Sequence, residues 1–122
     1  MRTDHSPEMF TSASSTLPRP DTGTLVARTH GSEWHDCGAE GFWIKPLYAD
    51  AARGQRTWLM RVDPGASAPA HAHEETEQIY VIEGSFHDDD TTYRAGDFAI
   101  RAPGTMHTAG SETGAIVMLI YS

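Results

Sequence analysis

The chain has 122 residues, with 9 Lys plus Arg against 17 Asp plus Glu, for a formal net charge of −8. That length allows one domain with one core and leaves no room for a separate cofactor domain, while the acidic balance opposes nucleic acid or an anionic membrane surface as a partner. No apolar run approaches the ~20 residues that span a bilayer, the opening MRTDHSPEMF lacks the apolar stretch of a secretion signal, and the lone Cys37 closes no disulfide within the chain, so a reduced, cytoplasmic setting is expected.

Residues 1–30 are rich in Ser, Thr, Pro and Asp, and Met9, Phe10, Leu17, Leu25 and Val26 stand isolated among them. A flexible N-terminal arm is expected there, ordered only by packing on the body of the protein or on a neighbouring chain, with the folded body spanning residues 31–122. Gly41 to Tyr48 reads as a strand stopped or bent at Pro46. Ala51 to Gln55 is a turn. Arg56 to Val62 alternates cleanly, and Trp58, Met60 and Val62 form its larger apolar face, so these point inward and Arg61 outward.

Asp63–Ala66 is a second turn, and Pro64 and Pro69 argue against a helix between Gly65 and Glu77. His71 and His73 are two residues apart, which on a strand puts both imidazoles on one face roughly 7 Å apart. Glu77 adds a carboxylate just beyond. Gln78 to Ile82 is apolar on both faces, so Tyr80 and Ile82 need an outer cover, either the arm or a second subunit. This predicts a homodimer. Ser85–His87 and Thr91–Tyr93 flank Asp88, Asp89 and Asp90, a hairpin whose acidic tip reads as a solvated turn rather than a calcium loop. Asp97 to Arg101 is a strand, Pro103–Gly104–Thr105 a turn that delivers His107, and Ala115 to Tyr121 a final apolar strand. Short strands so regularly interrupted by Gly and Pro indicate an all-β barrel or sandwich.

His71, His73, Glu77 and His107 are therefore the expected ligands of one divalent transition metal, Fe, Ni, Mn or Zn, since imidazole and carboxylate suit such ions. His5, His30, His35 and His87 are expected to be ordinary surface or core groups. Because imidazoles bind metal only when neutral, affinity is expected to fall below about pH 6.5.

Gly65, His71, His73, Glu77 and Gly84 reproduce the first cupin motif with its spacing, and Gly96, Gly104 and His107 reproduce most of the second. Ala102 stands where Pro is usual, with Pro103 directly after it, and Ser111 stands where Asn is usual. Residues 40–122 thus resemble the small single-domain cupins, a group that includes the zinc-binding domain of some anti-sigma factors and several diketone- and ketone-cleaving dioxygenases. The resemblance implies a double-stranded β-helix, the jelly-roll cupin barrel, with the metal inside. It also implies that Ile116 and Met118 join Trp58 and Met60 in the pocket wall.

Two functions are compatible with this pattern. The first is a metal-dependent oxidoreductase, a non-haem Fe(II) dioxygenase cleaving a carbon–carbon bond in a small, oxygenated, anionic or enolisable substrate. The second is a non-catalytic zinc-type sensor or ligand-binding module. Beyond the ligands, the sequence offers no general base. Cupin lyases acting on sulfonium compounds carry Tyr two residues after the ligand Glu, where Ile79 stands here.

Overall fold

The computed structural model describes Pro20 and residues 22–122. Most of the expected arm, residues 1–19 and 21, lies outside the described residues. Among the described residues nine strands succeed one another: β1 (His35–Asp36), β2 (Phe42–Asp50), β3 (Gln55–Val62), β4 (Ser67–His71), β5 (Glu77–His87), β6 (Thr92–Arg94), β7 (Phe98–Arg101), β8 (His107–Gly110) and β9 (Ala115–Tyr121). The 3-10 turn Ala51–Arg53 joins β2 to β3, and Gly54 closes it in the left-handed conformation. The strands hydrogen-bond in the order β1-β2-β3-β9-β5-β8-β4, with β6 and β7 also pairing to β5. The result is the expected all-β cupin jelly roll.

β5 is the strand that folds this sheet back on itself. Its first half pairs with β7 and β9, from Glu77↔Arg101 and Glu77↔Tyr121 onward. Its second half pairs with β6, Ser85↔Arg94 to His87↔Thr92, and touches β8 through His87↔Gly110. The change of partner occurs where a register shift between Val81 and Glu83 runs into Gly84. Gly84 has φ +76, and a Cβ there would lie 2.0 Å from the Gly114 carbonyl oxygen. Only glycine permits both the left-handed turn and that approach.

Alternation sets the core. On β3, Arg56, Trp58, Met60 and Val62 are buried, and on β9 Ala115, Val117, Leu119 and Tyr121 are buried. They meet Phe42 and Ile44 of β2, Ile79 and Val81 of β5, and Phe86. The inward placement of Trp58 and Met60 agrees with their parity. The placement of Ile116 and Met118 is corrected. They occupy the outward face of β9, because the strand's buried set is the odd-numbered one that ends on Tyr121. Met118 instead lines an outer hollow of about 590 Å³ together with Leu25, Ala27, Leu47 and Tyr48. Pro46 does not end its strand; β2 continues through it with a register shift between Pro46 and Tyr48. Tyr80 and Ile82 do face outward, 47% and 44% exposed, beside Phe98 and Ile100 of β7.

Gly84→Ala is expected to lower stability by at least ~2 kcal/mol, combining left-handed strain with a backbone clash. Gly65→Ala, at φ +82 but with open space around it, should lose only about 1–2 kcal/mol. Chemical denaturation of the two variants, each compared with the wild type, checks the order.

Candidate metal centre

The inner site is assembled from cross-strand neighbours. His71 on β4 stands opposite His107 on β8. Facing them, Glu77 on β5 stands between Arg101 on β7 and Tyr121 on β9. Residues paired across adjacent strands share a face, so each set points into the barrel as a unit. His73 completes the cluster from outside regular structure. β4 ends at His71, so the expected two-residue strand spacing is corrected: His73 lies in the connection to β5. Two backbone contacts fix that connection. The Gly104 N–H donates to the His73 carbonyl at 2.8 Å, and Thr76 and Ser122 exchange reciprocal N–H···O bonds at 2.8 and 3.0 Å. The Pro103–Gly104 turn therefore holds His73 as well as delivering His107.

The ligand atoms of His71, His73 and His107 lie within 4.8 Å of one another, and all three side chains are buried. Nitrogens bound to one ion at ~2.1 Å would be at most ~4.2 Å apart, so a small contraction brings them to bonding positions. Two rings are oriented for this. His71 Nδ1–H donates to the Pro69 carbonyl at 2.8 Å, and His107 Nδ1–H donates to the Thr108 carbonyl at 2.9 Å. A carbonyl only accepts, so the proton sits on Nδ1 and the Nε2 lone pair is left for a metal. His107 Nε2 is buried and has no hydrogen-bond partner among the described residues. The donor set therefore fits a divalent transition metal, held by the three histidines.

Glu77 lies beside this triad rather than within its set of mutual distances. Its two oxygens are each 3.6 Å from an imidazole, Oε2 from His73 Nε2 and Oε1 from His107 Nε2. It also accepts from Arg101 Nε at 2.9 Å and from the Tyr121 hydroxyl at 2.7 Å. Arg101 in turn donates through Nη1 to Asp88 at 2.8 Å. Asp88 further accepts from the Tyr93 hydroxyl at 2.7 Å and from the backbone N–H groups of Asp90 and Thr91. The acidic tip is thus not simply a solvated turn. Asp88 turns inward, its side chain 9% exposed.

On the β3 side, Arg56 pairs with Glu75 and stacks over the Tyr121 ring, 4.0 Å from its centroid. Trp58 meets the same ring edge-on at 5.5 Å. The Tyr121 ring also lies 4.9 Å from that of His73. Sequence reading misses Arg101, Tyr121 and Arg56. Arg56 has the parity of Trp58 and Met60, which is a usable signal; Arg101 and Tyr121 become visible only once strand register is known. Ser111 is buried, donating its hydroxyl to the Ser85 carbonyl and accepting from the Gly114 N–H at 2.8 Å, so it clamps the β5 turn.

The electrostatics favour neutral His71 and His73 rings. Burial pushes the His73 imidazole down to about 4, against the pull of Glu77 and with the help of His71, His107 and Arg56. Burial likewise lowers His71, opposed by the Pro69 carbonyl. Glu77 would be raised by its own burial, but His73, His107, the Tyr121 hydroxyl and Arg101 outweigh this and hold it below the usual range. Burial and the neighbouring Glu77 carboxylate raise Tyr121 well above 10, so it remains a donor.

These shifts keep the His71 and His73 rings neutral below the ordinary imidazole value. They also set the acid stability of the metal-free protein. Folded His73 titrates near 4, whereas an unfolded histidine titrates near 6.5. Between those values the unfolded chain takes up a proton that the folded chain refuses. Stability must therefore fall as pH drops through that window, by roughly 3 kcal/mol at most. Glu77 acts in the same direction at lower pH. Thermal unfolding of metal-free protein from pH 7 to 4.5 should show this fall, and His73→Gln should flatten it.

Residues 22–121 match the family described as the ChrR cupin-like domain. No curated protein matches the chain. Among solved structures, a protein of unknown function with a cupin-like fold from Ralstonia eutropha JMP134 is 26% identical, with a TM-score of 0.63 over 68% of this chain and 56% of its own. The complex of SigE with the anti-sigma ChrR from Rhodobacter sphaeroides matches at 24% identity and TM-score 0.67, over 78% of this chain and 52% of that one. An acetylacetone dioxygenase from Acinetobacter johnsonii has a TM-score of 0.73 at 11% identity, over 86% of this chain and 78% of its own. The last two are likenesses of fold alone. The chain spans about half the length of the first two, 56% and 52%.

Proposed function

The chain belongs to the ChrR cupin-like domain family, and on that premise we propose that it is a metal-dependent small-molecule enzyme, a non-haem Fe(II) dioxygenase that cleaves a carbon–carbon bond in a small oxygenated substrate. The observation that carries this reading is the buried triad of His71, His73 and His107, whose ligand atoms lie within 4.8 Å of one another. His71, His73 and His107 would hold the ion, with Glu77 as a fourth ligand reached by a small movement of its carboxylate. Bound iron would supply Lewis-acid and oxygen chemistry. The protein's own contribution is different. Buried Trp58, edge-on to the Tyr121 ring, and buried Met60 would wall the site against water. Arg101 and Tyr121 hold Glu77 ionised and oriented.

Charge supports the substrate class. Arg101 is balanced by Asp88 and Arg56 by Glu75. A divalent cation with neutral imidazoles and one carboxylate then leaves about one net positive charge, which favours an anionic or enolisable ligand. A His73 ring kept neutral at pH 7 by burial means that loading need not displace a proton from it. The apolar outer face of Tyr80, Ile82, Phe98 and Ile100 supports a homodimer, which light scattering after size exclusion would show as twice the chain mass.

A second reading, a zinc-type sensor or regulatory module, is favoured by the match to the ChrR cupin-like family. Metal content separates the two. Iron, nickel or manganese in the purified protein supports chemistry, and tightly held zinc supports sensing. Anaerobic Fe(II) loading should be followed by oxygen uptake with diketones, hydroxyacetophenones or flavonols. Full loading without uptake on any of them overturns the dioxygenase. His107→Ala should weaken metal binding by at least ~100-fold, beyond the range typical of outer partners, while leaving a cooperative unfolding transition.

A further inference from the structure

Asp88 lies in the turn after β5, outside every residue expected to touch a metal. It is nevertheless continuous with the centre. Its Oδ2 accepts from Arg101 Nη1 at 2.8 Å, and the Nε of the same guanidinium donates to Glu77 Oε1 at 2.9 Å. The three side chains are 9%, 9% and 5% exposed, so water does little to screen them. Asp88 is itself fixed by the Tyr93 hydroxyl and by two backbone N–H groups, and Arg101 stands directly across the sheet from Glu77. Among the described residues, Arg101 pairs with Asp88 and not with Asp89 or Asp90; Asp89 accepts from the Thr108 hydroxyl instead.

We infer that Asp88 is a positioning residue of the metal centre, acting through Arg101 on Glu77. The argument is one of charge. A buried guanidinium beside Glu77 competes with any cation for that carboxylate. At an effective dielectric of ~20, a unit charge about 5 Å from a divalent ion opposes it by several kcal/mol. Asp88 neutralises Arg101, so the guanidinium orients Glu77 without withdrawing its charge from the ion. Loss of the Asp88 charge leaves Arg101 to act on Glu77 alone. Both consequences, the lost negative charge and the stronger hold of Arg101 on Glu77, weaken cation binding. This rests on the metal reading above.

The test is Co(II) titration of metal-free protein, monitored by absorption spectroscopy and calorimetry. Asp88→Asn keeps a side-chain oxygen for the turn and removes the charge. It should weaken Co(II) binding by about 10- to 100-fold, the usual range for outer partners of ligands. Asp89→Asn and Asp90→Asn remove equal charges nearby and should change affinity less than about 2-fold, as expected of exposed, screened groups. Adding Arg101→Gln to Asp88→Asn should recover most of the loss, which a merely structural role for Asp88 would not produce. Equal effects of all three Asp variants, no effect of Asp88→Asn, or no recovery in the double variant each overturn the inference while leaving the metal reading standing. A wild-type protein that binds no Co(II) overturns both.

Discussion

The structure depends on placing one ionised carboxylate, Glu77, inside an apolar barrel. Burial alone would make it neutral, and its neighbours reverse that preference. An unpaired buried charge costs several kcal/mol, so partners must come from more than one strand. β7 supplies Arg101 and β9 supplies Tyr121, each directly beside β5. The imidazoles come from the opposite wall. The centre of the barrel is thus a polar island whose members are assigned by register rather than by sequence proximity. Shifting any of these strands by one residue would turn its member outward.

The same register explains the shape. β5 has to pair with β7 and β9 at one end and with β6 and β8 at the other, and Gly84 provides the change of direction between them. Pairing at the first end places Glu77 in the polar island. The turn beyond the second end returns Asp88 to Arg101. One strand therefore sets both the carboxylate and the group that balances its cationic partner.

Much of this is legible in the sequence. Strand periodicity points Trp58, Met60 and Val62 inward, and the motif spacing brings His71, His73, Glu77 and His107 to one region. The misreadings have physical causes. β9 is apolar at six of its seven positions before Tyr121 closes it, Ala115 through Ile120, so period alone cannot choose a face; family likeness turns Ile116 and Met118 inward, whereas the register with β3 and β5 turns them out. Alternation continues through His73 and so suggests a strand, but the backbone leaves the ladder at His71 and is held by Gly104 instead. Asp88 looks like any acidic turn residue, since its partner Arg101 is 13 positions away. Local pattern reports which face a residue prefers; it does not report which neighbour that face will meet.

The clasp between Thr76 and Ser122 has a practical bearing. The segment it secures carries His73, and Glu75 within it holds Arg56 over the Tyr121 ring. Any polypeptide joined directly after Ser122 would leave the barrel from this clasp, and its drag would be felt first by the connection that seats one imidazole. An affinity handle or fluorescent fusion joined after Ser122 should therefore be separated from it by a long, flexible glycine–serine spacer.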